Sequence, residues 1–338
     1  MTSLNELKSR PIHTYNEVLE KIQRRLKKIK LLPPSYAKTR LNRIKTIYLR
    51  KLDIVYSIVS SELDNIITTL GIVSGLHPFY KELFKIYIGY TPESLIKYYR
   101  RKKSILKRIY DNHRYPIKIT SDEREARIRY RSGVGRILSV IKRRKKTLEL
   151  LRNTIIELSK MPTIEEEDVK VIVAGMPQVG KSTLISRLST AKPEIAHYPF
   201  TTKTIIVGHR TIDPSKRIVF IDTPGILDRP LEYKNEIEMK AILALKYLAD
   251  KTIYLFDVSP SSYYGFNEQL RVLHDVLGII ENNNIIICIN KIDITPPSAI
   301  EEARVLLSKI LKDKPILEIS AKEGIGLNKL LETILKDP

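Results

Sequence analysis

Cysteine occurs once in the 338 residues and tryptophan not at all. No apolar run approaches the roughly 20 residues needed to cross a bilayer. The single thiol, Cys288, excludes an intrachain disulfide framework and a cysteine-rich metal site. It lies inside the apolar run Ile285-Ile-Ile-Cys-Ile289, where a cysteine acts as a small core residue. A secretory leader needs an apolar stretch behind a basic start, and the first residues show none. These absences predict a soluble, cytoplasmic chain without a transmembrane segment.

Acidic residues are scarce in one half only. Residues 1–160 hold 37 Lys/Arg against 14 Asp/Glu, a net of +23, whereas residues 161–338 hold 22 against 24, a net of −2. A field of one sign on one module predicts a polyanionic partner, either nucleic acid or an anionic membrane. The cations fall in three runs, Lys21 to Lys30, Arg100 to Arg108 and Lys142 to Lys146, with Arg124, Arg127, Arg129, Arg131 and Arg136 before the last. One such run is an ordinary solvated helix face; three in one module favour nucleic acid. The want of a lipidation motif or a strongly apolar helix face weighs against the membrane. Tyr98 and Tyr99, beside Arg100 and Arg101, suit either base stacking or helix packing.

The basic half reads as helix. Val18, Ile22, Leu26 and Ile29 recur at helical spacing while Lys21, Arg24, Arg25 and Lys28 take another face. Pro33-Pro34 ends that helix, and Ser35 is placed to cap the next, which should run to about Leu70. Thr91-Pro92-Glu93 supplies a cap, a first-turn proline and a first-turn acid. A last long segment spans Ser121 to Lys160, where Gly133 and Gly135 mark a bend or a close helix contact. An all-α helical bundle over residues 1–162 is the expectation.

After Glu165-Glu-Glu-Asp168 the grammar changes. Six short β-rich runs alternate with helical ones: Val169–Ala174, Thr204–Val207, Arg217–Ile221, Thr252–Phe256, Ile285–Ile289 and Ile316–Ile319. This predicts an α/β domain over residues 163–338 with a six-stranded, mostly parallel sheet and helices on both faces. The Thr204–Val207 strand should run antiparallel.

Gly175-Met176-Pro177-Gln178-Val179-Gly180-Lys181-Ser182-Thr183 matches a P-loop, with a strand before it and a helix after. Its glycines let backbone N–H groups converge on phosphate oxygens at a helix N-terminus. Lys181 should reach the β- and γ-phosphates, and the Ser182 hydroxyl should bind Mg²⁺. Base choice is read from Asn290-Lys291-Ile292-Asp293. A carboxylate at Asp293 accepts from both N1–H and N2–H₂ of guanine, a donor pair that adenine lacks. Lys291 would lie along the nucleotide and Asn290 would brace the phosphate loop. Ser320-Ala321-Lys322, after another strand, suits a backbone contact to the guanine oxygen. Asp222-Thr-Pro-Gly225 closes a strand, so that Asp222 holds Mg²⁺ through water and the Gly225 N–H meets the γ-phosphate. Tyr198-Pro-Phe-Thr201-Thr202 lies between a helix and a strand, where a threonine hydroxyl can join the Mg²⁺ shell. GTP is therefore the expected substrate and GDP the product.

These motifs resemble the translation-factor-related GTPases, and Tyr198-Pro-Phe-Thr-Thr202 resembles their Obg-related branch. Within it the chain is similar to the nucleolar GTP-binding protein (NOG) family and its archaeal relatives. The pieces that carry the likeness are Phe200-Thr-Thr-Lys203, Val207-Gly-His209 and the block from Asp222 to Glu232, continued by Asn235, Ile237, Glu238 and Met239. In the basic half they are Leu76-His-Pro-Phe-Tyr80, Gly135-Arg136, Val140 to Arg143, and Leu158 to Pro162. The resemblance implies that Thr202 is the Mg²⁺ ligand. It also implies assembly of the large ribosomal subunit, with the helical domain on its ribosomal RNA, ribosomal proteins as further partners, and a monomer off the ribosome. Many relatives have asparagine where this chain has Gln178. That asparagine accompanies potassium-assisted hydrolysis, so a role for K⁺ stays open. Ile226 occupies the place where Ras-like enzymes carry a water-orienting glutamine. Intrinsic hydrolysis should therefore be slow and accelerated by the particle, with Lys181, Thr202 and Gly225 at its centre. His197, His209 and Asp228 are candidate helpers, although loop or packing roles fit each better.

Overall fold

In the basic half, apolar residues three and four apart wind the chain into helices. The computed structural model describes residues 4–28, 39–161, 168–197, 204–213, 216–222, 228, 230, 232, 248–279 and 284–336. The helices are α1 (Leu4–Lys8), α2 (Tyr15–Lys27), α3 (Arg40–Ser74), α4 (Pro78–Ile88), α5 (Pro92–Ile119), α6 (Glu123–Lys142) and α7 (Lys145–Ser159). The chain folds into two compact units, Met1–Leu76 with Phe84–Ser159, and His77–Leu83 with Lys160–Pro338.

In the first unit α2 opens with a capping box: the Thr14 hydroxyl accepts from the Glu17 N–H, and the Glu17 carboxylate accepts from the Thr14 N–H. The α3 cap is Thr39, four residues beyond the expected Ser35, which lies outside the described residues together with Ile29 and Pro33-Pro34. The Thr91-Pro92-Glu93 cap of α5 forms as expected. Three long helices make the body of the unit. Ser74 meets Glu93, Lys103 meets Asp64, and Arg114 meets Asp53, so α3 and α5 run antiparallel. Arg40 meets Glu123, and Tyr48 stacks on Tyr130 with centroids 4.9 Å apart, so α6 runs beside α3 in the same direction.

The segment expected as one stretch from Ser121 to Lys160 is two helices, broken at Arg143-Arg144. The packing partner changes there: α6 lies against α3 and α5, whereas α7 turns Leu148, Leu151, Ile155 and Leu158 inward and packs on α1. Tyr99 is buried in the helical core and therefore packs rather than stacks on a base. Tyr98 is half-buried, with Lys102 and Arg144 over its ring.

The second unit is a seven-stranded sheet, one strand more than expected, in the order β2-β3-β4-β1-β5-β6-β7. Its strands are β1 (Val169–Ala174), β2 (Glu194–His197), β3 (Thr204–Asp213), β4 (Lys216–Asp222), β5 (Lys251–Asp257), β6 (Ile285–Asn290) and β7 (Ile316–Glu318). The extra strand is β2, an edge strand with a single large apolar residue, Ile195, which is itself exposed. Backbone pairing to β3 makes it a strand, and side-chain alternation gives no sign of it. As expected, β3 is antiparallel to β4; β4, β1, β5, β6 and β7 are mutually parallel. The parallel strands are nearly continuous apolar runs because both faces are covered. Cys288 is wholly buried in β6, and desolvation pushes its thiol pKa up. Helices α8 (Lys181–Leu188), α9 (Phe266–Ile279), α10 (Pro297–Ile310) and α11 (Leu327–Leu335) complete the described unit. The chain leaves β1 toward β4 and later returns to β5 on the other side, so the end of β1 is the switch point where open α/β sheets bind ligands.

The two α6 glycines separate packing from propensity. A Cβ at Gly133 would stand 3.0 Å from the His113 Cβ and 3.2 Å from a Leu52 methyl, whereas at Gly135 it meets nothing within 4 Å. Gly133→Val should therefore lower unfolding free energy by about 1–3 kcal/mol through overpacking. Gly135→Ala should raise it by about 0.5–1 kcal/mol through helix propensity. Urea titrations followed by circular dichroism read both, and equal effects would contradict the assignment.

Candidate functional site

Beyond Ala174 the chain leaves β1 through backbone conformations that glycine favours. Gly175 has φ +136° and Gly180 φ +103°, with Gln178 at +65° between them. A Cβ on Gly175 would lie 2.7 Å from the Leu255 carbonyl of β5, and one on Gly180 would lie 2.3 Å from the Asn290 Nδ2. The loop thus curls tightly against its neighbours. Gly180 is the N-cap of α8, and the helix begins at Lys181.

Lys181 is buried, and its Nζ donates to the Gly175 carbonyl (2.9 Å) and the Met176 carbonyl (2.8 Å). Desolvation holds its pKa below the usual lysine range, while the negative charges of Asp222 and Asp228 oppose that shift. The Ser182 hydroxyl donates to Asp222 Oδ2 at 2.8 Å, joining the head of α8 to the end of β4. Pro177 is half-buried, while Gln178 and Thr183 are exposed.

Asn290, at the end of β6, is the centre of the arrangement. Its Nδ2 donates to the Val179 carbonyl at 2.8 Å, and its Oδ1 accepts from the Ala321 N–H at 2.9 Å. The expected brace is therefore present and reaches further, into the turn after β7. That turn is closed by the Ser320 N–H to the Ile325 carbonyl, the Gly324 N–H to the Ser320 carbonyl, and the Glu323 N–H to the Ser320 hydroxyl. Arg187 of α8 donates to the Lys322 carbonyl at 2.6 Å. Between these loops lies a pocket of about 220 Å³, walled by Gly180 and Thr183 on one side and by Asn290, Lys291 and Asp293 on another. Ser320, Ala321 and Lys322 form its third wall. The Asp293 side chain is exposed at the pocket edge.

Lys291 has φ +65°, and its Nζ lies 2.5 Å from Oδ2 of the buried Asp257. Oδ1 of Asp257 accepts from the Ser259 N–H and hydroxyl, while Gln269 clamps its backbone through both amide groups. Sequence reasoning missed Asp257, Gln269 and Arg187. For Asp257 a signal was available: an acid at the carboxyl end of a buried strand, in Tyr254-Leu-Phe-Asp257. Gln269 and Arg187 sit inside helical stretches, where only the fold gives them meaning.

Thr202 and Gly225 lie outside the described residues, as do Thr201, Thr223, Pro224 and Ile226. His197 falls on β2. His209 of β3 pairs with Val219 of β4, three register steps from the Ile206–Asp222 pair, or about 10 Å along the strand. It lies toward the opposite end of the sheet from Ser182, among Arg217, Glu194 and Asp168, and burial lowers its pKa. Its place in the sheet removes it from the helper set. Asp228 is near enough to Lys181 to act on its charge.

Two family models match the chain. Residues 170–291 match a 50S ribosome-binding GTPase domain, and residues 10–165 match the NOG1 N-terminal helical domain. Nucleolar GTP-binding protein 1 of Drosophila melanogaster is 31% identical over 292 residues, covering 85% of this chain and 45% of that protein. The Caenorhabditis elegans protein of the same name is 33% identical over 300 residues, covering 84% of this chain and 42% of its own length. The chain thus spans less than half of these relatives. Among solved structures, a putative nucleolar GTP-binding protein 1 from Plasmodium falciparum aligns at 25% identity and TM-score 0.44, over 52% of this chain and 90% of that one.

Removing the amide tests its structural share directly. Asn290→Ala leaves a buried carbonyl and a buried N–H without their partner, which should lower unfolding free energy by about 2–4 kcal/mol. A denaturant midpoint indistinguishable from the parent would show that the three loops hold themselves.

Proposed function

This chain belongs to the nucleolar GTP-binding protein family, and from that premise we propose that it binds and hydrolyses GTP in large-subunit assembly, with its basic helical unit docked on ribosomal RNA. The observation that supports the nucleotide reading most is the Asn290 amide, which gathers the Gly175–Ser182 loop, the Asn290–Asp293 loop and the Ser320–Lys322 turn around one pocket.

The residues take the following roles in this reading. The curled loop offers its N–H groups to phosphate at the head of α8. Lys181 is a buried cation beside that loop, whose charged form burial disfavours; an arriving phosphate favours that form and is itself neutralised by it. Asp293 accepts the two guanine donors, and the backbone of Ser320-Ala321-Lys322 meets the guanine oxygen. A desolvated carboxylate facing adenine would lack partners, a difference of about 10⁴-fold in affinity. Lys291, pinned by Asp257, lies along the nucleotide.

The Ser182 hydroxyl and the Asp222 carboxylate meet at 2.8 Å beside the phosphate loop, a hard oxygen pair that suits Mg²⁺. Ser182 would ligate the ion directly and Asp222 through water, with Thr202 as the further ligand by family likeness. When bound, the ion supplies charge neutralisation on the phosphate oxygens. Gly225 would sense the γ-phosphate, and Ile226, being aliphatic, cannot itself hydrogen-bond the attacking water. Hydrolysis then works as a timer for release from the particle.

Nucleotide competition tests base choice. GTP and GDP should displace a labelled guanine nucleotide while ATP does not at about a thousandfold excess. Asp293→Asn should weaken GTP by about 100-fold or more and gain xanthosine triphosphate, whose C2 oxygen accepts from the new amide. ATP competing on equal terms would end the guanine reading. Turnover measured alone and with purified large-subunit precursors tests the particle: stimulation of about tenfold or more is expected. Rapid turnover that the particle leaves unchanged would refute the timer.

A further inference from the structure

We propose that the groove between α2 and α3 is a seat for the phosphodiester backbone of a single RNA strand. This rests on the reading of the basic unit as an RNA-docking body and narrows it to one surface.

Helix α2 turns Val18 and Ile22 inward and packs along α3. Arg24 and Arg25 lie three and four residues after Lys21, and Lys28 lies four and three after them, beside that apolar seam; all four are exposed. Across from them stand Ser57 and Ser61, one turn apart on α3 and also exposed. The two sides enclose an open trough of about 420 Å³, with Ile58 beside the serines. Apart from the apolar Ile58, every one of these side chains presents a hydrogen-bond donor: two ammonium groups, two guanidinium groups and two hydroxyls.

Several cations elsewhere in the unit have carboxylate partners within it. Lys103 faces Asp64, Arg114 faces Asp53, and Arg152 faces Glu17. Of the trough cations, among the described residues only Arg24 has one, the exposed Glu20 at 2.8 Å. Among the described residues no carboxylate pairs with Lys21, Arg25 or Lys28. The negative end of the α2 dipole accounts for cations in the last turn. It accounts neither for Lys21, a turn earlier, nor for the hydroxyls opposite.

Like charges one turn apart repel, and an anion lying along them removes that repulsion. The cations repeat at about 5–6 Å, close to the step between successive phosphates on an extended strand. The trough is open at the surface, so it fits a chain passing through rather than an enclosed small molecule. Arg124, Arg127 and Arg131 on α6 are likewise exposed cations and serve as the comparison surface. A concave wall of one sign focuses the field more than a convex one.

The test uses the full chain and a labelled single-stranded RNA oligonucleotide of about a dozen nucleotides, read by fluorescence anisotropy across a salt series. The double variant Ser57→Glu, Ser61→Glu places carboxylates against the four cations. It should weaken RNA binding by about tenfold or more while leaving the melting temperature equal or higher, which separates the effect from misfolding. Lys21→Ala, Arg25→Ala, Lys28→Ala should reduce the slope of log affinity against log salt by about 2, at about 0.7 per lost contact. The control set Arg124→Ala, Arg127→Ala, Arg131→Ala should lose distinctly less affinity. If both trough variants bind as the parent does, or the control set loses as much, the trough is not the seat and the RNA-docking reading survives. A parent chain that ignores RNA and binds anionic vesicles instead would overturn both.

Discussion

One buried amide fixes the relative position of three loops that come from the ends of β1, β6 and β7. The Asn290 side chain donates on one side to the Val179 carbonyl and accepts on the other from the Ala321 N–H. Both partners are backbone atoms, so the amide sets where the chain runs, whatever side chains the loops carry. The approach is close enough that position 180 must lack a Cβ, which would fall 2.3 Å from the amide nitrogen. The same glycine supplies the left-handed turn that starts α8. Local conformation and long-range packing therefore demand the same residue. In the proposed reading, a phosphate loop and a base pocket built on separate strands serve one ligand only if their spacing is held, and the Asn290 amide, with Arg187 on the Lys322 carbonyl, holds it.

Around this amide the charges are arranged in pairs that a ligand can rearrange. Lys181 is desolvated and rests on two carbonyls, with Asp222 and Asp228 as its nearest negative charges. Lys291 is held against the buried Asp257 on a left-handed backbone position. Neither lysine is placed by a loop of its own: one is anchored by the curl of the P-loop, the other by a carboxylate on the neighbouring strand. The Asp257 carboxylate is in turn fixed by Ser259, and its backbone by Gln269. Such a chain of fixed donors and acceptors is what gives an electrostatic site a definite geometry before the ligand arrives.

The parts legible in the sequence are those whose physics is local. A glycine-lysine-serine loop between a strand and a helix, an Asn-Lys-x-Asp after an apolar strand, and the Thr91-Pro92-Glu93 cap each need particular residues at particular spacings. The six strands read from apolar runs are all present. What escaped depends on partners far along the chain. Strand β2 is made by pairing with β3 and carries one large apolar residue on an open edge. The break at Arg143-Arg144 has neither glycine nor proline; it marks where the helix changes from one packing partner to another. Tyr98 and Tyr99 are adjacent and chemically alike, yet one is buried and the other is half-exposed under two cations. His209 sits in a stretch that reads as switch-adjacent, but the register of β3 sets it opposite Val219 in the middle of β4, three steps away from the Asp222 end.

The division of charge between the units gives the two proposed bindings different physical characters. The second half of the chain is nearly neutral, at −2, so its own net charge draws no triphosphate to it. Recognition there has to come from fixed groups at short range, in a site where Lys181 is buried and salt screens little. The first half carries +23 on exposed helices, where attraction acts over about a Debye length, or 8–10 Å at ordinary ionic strength. That attraction is tolerant of sequence and easily weakened by salt. A nucleotide site needs fixed geometry and a docking surface needs reach. The two demands conflict within one electrostatic environment: a strong general field would hold GDP as well as GTP, and a neutral helical bundle would not gather RNA. Placing the excess charge in one unit and the amide-braced loops in the other lets each requirement be met without compromising its neighbour.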